Sequence, residues 1–445
     1  MLCRQLTYTT EKDWAAIQNW LAPRTEPDTS VEGPVREILQ QVRTQKDAAL
    51  VAYTQRFDCP DFQVDMLAVP QSQIEGAVQE IPTEDKRIIE EAAANIRAYH
   101  QRQNENSWFV PEAGGTILGQ MVRPVDRAGL YVPGGQGGNT PLLSSLLMNA
   151  IPAQVAGVPD ICLVTPPRDD GSVNPYILAT AGILGLHRVF AVGSAWAIAA
   201  LAYGTETIPE VDVIAGPGNI FVATAKRLLQ GQIGIDMVAG PSEIAIVADH
   251  SASASSVAAD MLSQAEHDPL ASSILITDSD SLLRQTQSEL ERQLAELPRN
   301  SIARESLQEW GACIQVPDIA TGLQLANRLA PEHLELCLET PWQWLEAVRH
   351  AGAVFLGHCT PEPVGDYFAG PNHVLPTIGT ARFSSALSVQ NFTKKTSLIA
   401  TSAEYIQTHG AKIARLARLE GLEAHARSVE TRYLQSYTKN RDTVL

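Results

Sequence analysis

Glu332 and His333 stand side by side in APEHLELC, directly after Pro331. A carboxylate beside an imidazole can take protons from an alcohol or a water near neutral pH. Adjacent residues point in different directions on a helix or a strand. The two side chains can therefore serve one pocket only from irregular backbone. Pro331 offers that break where the helix-like run GLQLANRLA ends and the apolar run LELCLE begins. Taken alone, the pair reads more readily as an exposed polar turn than as a site.

A second group of residues has metal-ligand character. In MLSQAEHDP, Gln264 and His267 are three apart and share one helical face, which Asp268-Pro269 closes. Asp366 and His373 lie in PVGDYFAGPNHVLP, a Gly/Pro-rich loop after the apolar run AVFLG. His425 lies in the helical run GLEAHARSVE, with Glu420 five residues before it. Imidazole, carboxylate and amide oxygen suit zinc or another borderline divalent ion better than a thiolate-selected one. Spacing alone does not separate such a set from surface pairs.

Glycine-rich loops supply a third feature. GGQGGN (Gly134 to Asn139) and AGPGN (Ala215 to Asn219) follow strand-like runs. Both can bring bare backbone N–H groups close to an anion at a helix start. Neither fits the GxGxxG dinucleotide fingerprint, because the sixth position counted from Gly135 is Thr140.

The elements that must hold these residues alternate between strand and helix. From Arg127, the runs AGLYVPGG, DICLVTPP, RVFAVGSA and VDVIAGPGN read as strand-plus-turn units, with helical patterns between them. After Gly240 a second series follows in EIAIVAD, SSILITD, ACIQVP, LELCLE and AVFLG. Such alternation predicts two mostly parallel sheets covered on both faces. Residues 1 to about 125 read mainly helical, including VREILQQVRTQKDAALVAYTQRFD as one long or two short helices.

Composition bounds the function. A chain of 445 residues can bury a large core, and 50 acidic against 33 basic residues give a charge of −17. That balance argues against a nucleic-acid partner. No signal pattern or apolar run of membrane-spanning length is visible. The six cysteines form no Cys-x-x-Cys pair, and several sit in apolar strand-like runs, which fits buried free thiols in a reducing cytoplasm.

The chain resembles the histidinol dehydrogenase family along nearly its whole length. YVPGG, NAIPAQVAGV, AGPGNIFVATAKR, DMVAGPSEIAIVAD, LSQAEHDP, LAPEHLELC, VGDYFAGPNHVLPT and GLEAHARSV carry the resemblance, in one order. It implies an α/β fold of two incomplete Rossmann-like doubly wound domains with N- and C-terminal helical extensions. The expected division is an extension over 1–24, a main domain over 25–130 and 243–386, a cofactor domain over 131–242, and a dimer-forming helical arm over 387–445. The resemblance further implies a cytoplasmic, homodimeric, NAD-linked zinc enzyme oxidising L-histidinol through L-histidinal to L-histidine, with active sites shared across the dimer and no nucleic-acid or membrane partner.

Position by position, the resemblance makes Glu332 and His333 the catalytic pair. Gln264, His267, Asp366 and His425 become zinc ligands that also meet the substrate, the last from the partner subunit. Ser242, His333, His373 and Glu420 become substrate contacts, and Tyr131 and Asn219 contact NAD. At the third NAD position this chain departs from the family, reading GSAWA with Trp196 where glutamine is usual. The loop after YVPGG is also about three residues longer than the family's. On this reading His333 is the base for the alcohol, and Glu332 activates the water that adds to the aldehyde. The alternatives are a zinc polyol dehydrogenase with another substrate, a zinc hydrolase, and a non-catalytic homologue with an impaired NAD site. One expectation concerns the sheet itself. The Glu332-His333 turn leads from helix into strand, whereas open α/β sheets bind ligands beyond strand carboxyl ends. An antiparallel or irregular strand in an interdomain cleft would reconcile the two.

Overall fold

The computed structural model describes residues 2–25, 29–112, 114–134 and 140–439. Most of the GGQGGN loop, residues 135–139, lies outside them, as does the expected lengthening there. In chain order the strands are β1 (Arg4–Thr7), β2 (Trp108–Glu112), β3 (Thr116–Pro124), β4 (Arg127–Tyr131), β5 (Asp160–Thr165), β6 (Arg188–Ala191) and β7 (Val213–Ala215). They continue as β8 (Gly234–Ile235), β9 (Glu243–Ala248), β10 (Ser272–Thr277), β11 (Ala312–Gln315), β12 (His333–Cys337), β13 (Ala353–Leu356) and β14 (Thr393–Ala400).

Two compact units result. The first comprises Met1–Gln103 and Val125–Phe392, the second Asn104–Pro124 and Thr393–Leu445. The first unit holds two parallel sheets, ordered β1-β11-β10-β9-β12-β13 and β6-β5-β4-β7-β8. Counted from β9 and from β4, both contain the order 3-2-1-4-5, the doubly wound order without its sixth strand, and in the first sheet β1 is added beyond β11. Each sheet therefore reverses its strand order once, between β9 and β12 and between β4 and β7.

The apolar runs explain why these sheets are covered on both sides. Along β9, Ile244, Ile246 and Ala248 enter one core, while Ala245 and Val247 enter the other. A strand buried on both faces needs no polar alternation, which is why its sequence is continuously apolar. The early helical stretch divides into Glu32–Gln45 and Asp47–Phe57, broken by Lys46 at φ 53°. Val35, Leu50, Ile74 and Ile96 from these and the following helices join Leu130, Leu163 and Ile214 in the core of the five-stranded sheet. The helices between residues 25 and 130 thus pack against the sheet expected to carry cofactor, whereas the sequence grouped them with 243–386. The N-terminal stretch, expected to be a helical extension, opens with β1, which pairs with β11 at the edge of the six-stranded sheet.

The second unit carries an antiparallel sheet ordered β14-β3-β2 and the helices Ala403–Leu419 and Glu423–Lys439. Sequence periodicity missed these strands. Trp108, Phe109, Val110, Ile117, Leu118 and Ile399 are all exposed in the chain, so no buried face imposes a clear alternation. No described helix is long and apolar enough to cross a membrane. All six cysteines are free thiols, and five of them are buried.

Candidate active site

The helix Ile319–Leu329 is capped by Asp318, whose carboxylate accepts the Thr321 N–H at 2.7 Å. It stops at Ala330, which takes a left-handed conformation (φ 51°) and turns the chain toward the sheet. A non-glycine residue held there costs roughly 1–2 kcal/mol, so the surroundings must fix the turn. They do so through the sheet. Gly352 and Ala353 donate their N–H groups to the carbonyls of Pro331 and Glu332 at 3.0 and 2.9 Å.

β12 then runs parallel to both β9 and β13, with His333 opposite Ile244 and Ala353. The expected antiparallel or irregular strand is therefore corrected. The irregular backbone is the single left-handed residue before the strand. The pair sits at the amino edge of β12, beside the start of β9, at the strand pair where the sheet reverses order. Glu243, the first residue of β9, meets both side chains through its peptide. Its N–H donates to Glu332 Oε2 at 2.9 Å, and its carbonyl lies 3.0 Å from His333 Nδ1.

These contacts set the charge state of the pair. With a carbonyl as partner, Nδ1 must carry the proton, so the neutral ring leaves Nε2 with its lone pair. His333 Nε2 is buried and has no hydrogen-bond partner. Burial pushes the His333 pKa down to about 3; the bond to Glu243 opposes this, and the charges of His267 and His373 add to it. The imidazole is held neutral, with the Nε2 lone pair open toward the pocket. Burial also raises Glu332 well above the usual carboxylate range, against the Glu243 N–H bond. The two side chains lie 3.7 Å apart.

Facing Nε2 are two carboxylates, Glu362 Oε1 and Asp366 Oδ1, each at 3.9 Å. Both belong to the short helix Glu362–Tyr367, one turn apart. Burial, and then the charge of Asp366, raises Glu362 to about 8, while burial raises Asp366 to about 6. Like charges held together out of water keep protons, and they would release them to a cation. One ligand atom each from His267, Glu362 and Asp366 lie within 4.8 Å of one another, a spacing able to hold a metal ion. Glu362 did not emerge from the sequence. Its only signal there is its four-residue offset from Asp366.

Gln264 strengthens the case for a metal. Both atoms of its amide are buried without a hydrogen-bond partner, as is His373 Nε2. A buried amide left unpaired costs roughly 1–3 kcal/mol, a penalty that a coordinating ion would offset. The helix Ala254–Ala265 ends before His267, whose N–H closes a turn onto the Gln264 carbonyl at 3.2 Å. The two are thus on a helix end and the turn after it, not on one continuous helical face. Ser242 adjoins Glu243 at the start of β9, and its carbonyl accepts the Ser272 N–H at 3.0 Å. Glu420 and His425 belong to the second unit. Glu420 is the exposed C-cap of the helix Ala403–Leu419, and His425 is exposed in the helix Glu423–Lys439.

The five-stranded sheet holds the other expected contacts at its carboxyl edge. Tyr131 ends β4, and its hydroxyl accepts the Ser194 N–H at 3.2 Å; burial raises its phenol to about 12. Asn219 caps the helix Ile220–Leu229, its side-chain oxygen accepting the N–H groups of Phe221 and Val222 at 3.1 and 3.2 Å. Tyr131 and the AGPGN loop flank the point where this sheet reverses order, the usual position of a ligand in such a sheet. Gly216 of that loop has φ 124°, and a Cβ there would lie 2.0 Å from the Tyr131 carbonyl. Lys226 and Asp236, a buried ion pair, hold it from both sides: Lys226 Nζ donates to the Gly216 carbonyl at 2.9 Å, and Asp236 accepts its N–H at 2.8 Å. Trp196 is buried and stacked on Tyr53 and Phe57, with ring centroids at 5.5 and 5.6 Å. Asp58, next to Phe57, has an unpaired buried oxygen, burial raises it to about 6, and its charge reaches Tyr131.

Two doubly wound sheets, one with a glycine turn at its switch point and one presenting a neutral imidazole to a carboxylate cluster, define an α/β oxidoreductase. The family model described as Histidinol dehydrogenase matches residues 22–433. The histidinol dehydrogenase of Oleidesulfovibrio alaskensis is 63% identical over 97% of this chain and 100% of its own length. That of Nitratidesulfovibrio vulgaris is 60% identical over 98% and 100%. The crystal structure of histidinol dehydrogenase from Elizabethkingia anophelis superposes with a TM-score of 0.90 at 36% identity, covering 98% of this chain and 99% of that one. The chain belongs to the histidinol dehydrogenase family.

Proposed function

We propose that this protein oxidises L-histidinol to L-histidine in two successive two-electron steps, the last reaction of histidine biosynthesis. The observation that carries the reading is His333: a buried, neutral imidazole whose Nε2 has no partner and faces the metal-type cluster at 3.9 Å. In the first step His333 Nε2 takes the hydroxyl proton as a hydride leaves the carbinol carbon, giving the aldehyde. In the second, Glu332 takes a proton from water as its oxygen bonds to the aldehyde carbon. The resulting gem-diolate loses a second hydride and its remaining hydroxyl proton, leaving the carboxylate. When bound, NAD accepts one hydride per step, so two molecules are consumed in turn. Tyr131, Trp196 and Asn219 are the proposed contacts for it.

Zinc fits the donor set best. Gln264, His267 and Asp366 would hold it, with the partner's copy of His425 completing the set. Held there, the ion would supply a Lewis-acid anchor for the substrate. Glu362 stands close enough to His267 and Asp366 to join them or to balance the ion's charge. Ser242, His373 and Glu420 would contact the substrate, Glu420 as counter-charge to its ammonium. Retaining the aldehyde between steps would keep a reactive intermediate from water and other amines. On this reading the protein is a cytoplasmic homodimer.

The test is direct. Zinc-loaded protein with L-histidinol and NAD should form two NADH per histidine, and no NADH without substrate. A single NADH per turnover, or equal rates with simple polyols, would remove the assignment.

A further inference from the structure

The start of β9 is held by a residue far from it in sequence. Arg24 lies at the end of the helix Glu11–Thr25 and is almost fully buried. Its guanidinium lies 3.0 Å from Glu243 Oε1, with both side chains largely shielded from water. Nε donates to the Leu270 carbonyl at 3.0 Å, and Nη2 reaches the carbonyls of Ser242 and Pro241 at 3.4 and 3.5 Å. The other oxygen of Glu243 accepts the Ile378 N–H at 3.1 Å. One planar fork thus grips the backbone of residues 241 and 242 and the side chain of 243, where the β9 ladder is only beginning.

We infer that Arg24, through its buried ion pair with Glu243, is a positioning residue that holds the Glu243 peptide to which Glu332 and His333 are both bonded. The inference rests on the proposed catalytic roles of those two residues. A buried ion pair is a poor device for stability, since desolvation consumes much of its Coulombic gain. A fixed fork with four acceptors is a good device for placing a strand end. The peptide it places is also no ordinary one, because its N–H and carbonyl each hold one of the two candidate bases.

Three proteins test this: wild type, Arg24→Lys, which keeps the charge and loses the fork, and the paired Arg24→Leu/Glu243→Leu, which leaves no buried charge unmatched. Both variants should bind zinc as wild type does and keep KM for histidinol within about twofold. Their kcat should fall by about tenfold or more, for the alcohol and aldehyde steps alike, because a small misplacement of a catalytic group carries losses of that order. Nitrogen-15 NMR of the zinc-free proteins gives a reading independent of the substrate. The His333 Nδ1–H signal should be present in wild type and shifted or broadened by exchange with water in both variants. A folded variant of either kind with wild-type kcat and an unchanged Nδ1–H signal overturns the inference. If wild type fails to oxidise histidinol while the NMR difference appears, the substrate assignment falls and the positioning role stands.

Discussion

The carbonyl of Glu243 stands 3.0 Å from Nδ1 of His333, and that contact decides which nitrogen can act as a base. The proton belongs on Nδ1, leaving Nε2 open toward Glu362 and Asp366. Replacing His333 with Asn keeps a donor near the carbonyl but removes the base. Overall oxidation should fall by roughly 10²–10⁴-fold while zinc content stays at the wild-type level. Full activity in His333→Asn, measured as NADH formation, would remove His333 from the mechanism.

Glu332 differs from its neighbour in what holds it. Its Oε2 accepts the Glu243 N–H at 2.9 Å, and burial favours its protonated form, so its work as a base needs a charge nearby. The water step is where the proposal uses it. Glu332→Gln keeps the size and can still accept the N–H bond. It should slow conversion of added L-histidinal to histidine far more than oxidation of histidinol to the aldehyde level. Single-turnover measurements of each half separate the two, and equal slowing would sink the division of labour.

Nine strands of the two parallel sheets, β4–β7 and β9–β13, were legible because each is a short, largely apolar run, the mark of burial on two faces, whereas the exposed β1 (RQLT) and the two-residue β8 were not. EIAIVAD and DICLVTPP became β9 and β5 for that reason. WFVPE and TILGQMVRP were illegible because their apolar side chains are exposed in the chain and Pro111 and Gly119 interrupt the pattern. At the site, Glu332, His333 and His267 stood out by residue type. Glu243 and Arg24 did not, since the one acts through its peptide and the other through backbone carbonyls, and neither leaves a trace in residue spacing. Glu362 was hidden for a simpler reason: one acid in PEPVGDY looks like any solvated charge.

The metal cluster makes a pH prediction with a definite sign. Asp366 and Glu362 titrate near 6 and 8 in the metal-free protein, both raised chiefly by burial. A carboxylate raised in the folded state contributes stability below its unfolded pKa and loses it as pH climbs through the folded value. Metal-free protein should therefore lose stability from these groups between about pH 4 and 8, and zinc should restore it by displacing their protons. Zinc affinity should rise over the same range, with proton release visible when calorimetry is repeated in buffers of different ionisation heat. Gln264→Met should raise metal-free stability by about 1–3 kcal/mol, since it removes an unpaired buried amide, while weakening zinc binding. A destabilised metal-free Gln264→Met protein would mean that the amide is already satisfied.

Trp196, which the resemblance places at a cofactor-contact position, is fixed by its surroundings. The indole stacks on Tyr53 at an interplanar angle of 15° and on Phe57 at 22°, forming a three-ring cluster against the helix Asp47–Phe57. Its Nε1 is buried and unpaired. Most of its contribution should therefore be packing. Trp196→Ala should cost about 3–5 kcal/mol in chemical denaturation, the range for an emptied aromatic site. Trp196→Phe should retain most of that stability, because it keeps the stack and removes the unpaired N–H. If the indole also contacts the dinucleotide, Trp196→Phe should weaken NADH binding, measured by fluorescence, at nearly wild-type stability. Unchanged NADH binding in a stable Trp196→Phe protein would assign the residue to the core alone and leave Tyr131 and Asn219 as the proposed cofactor contacts.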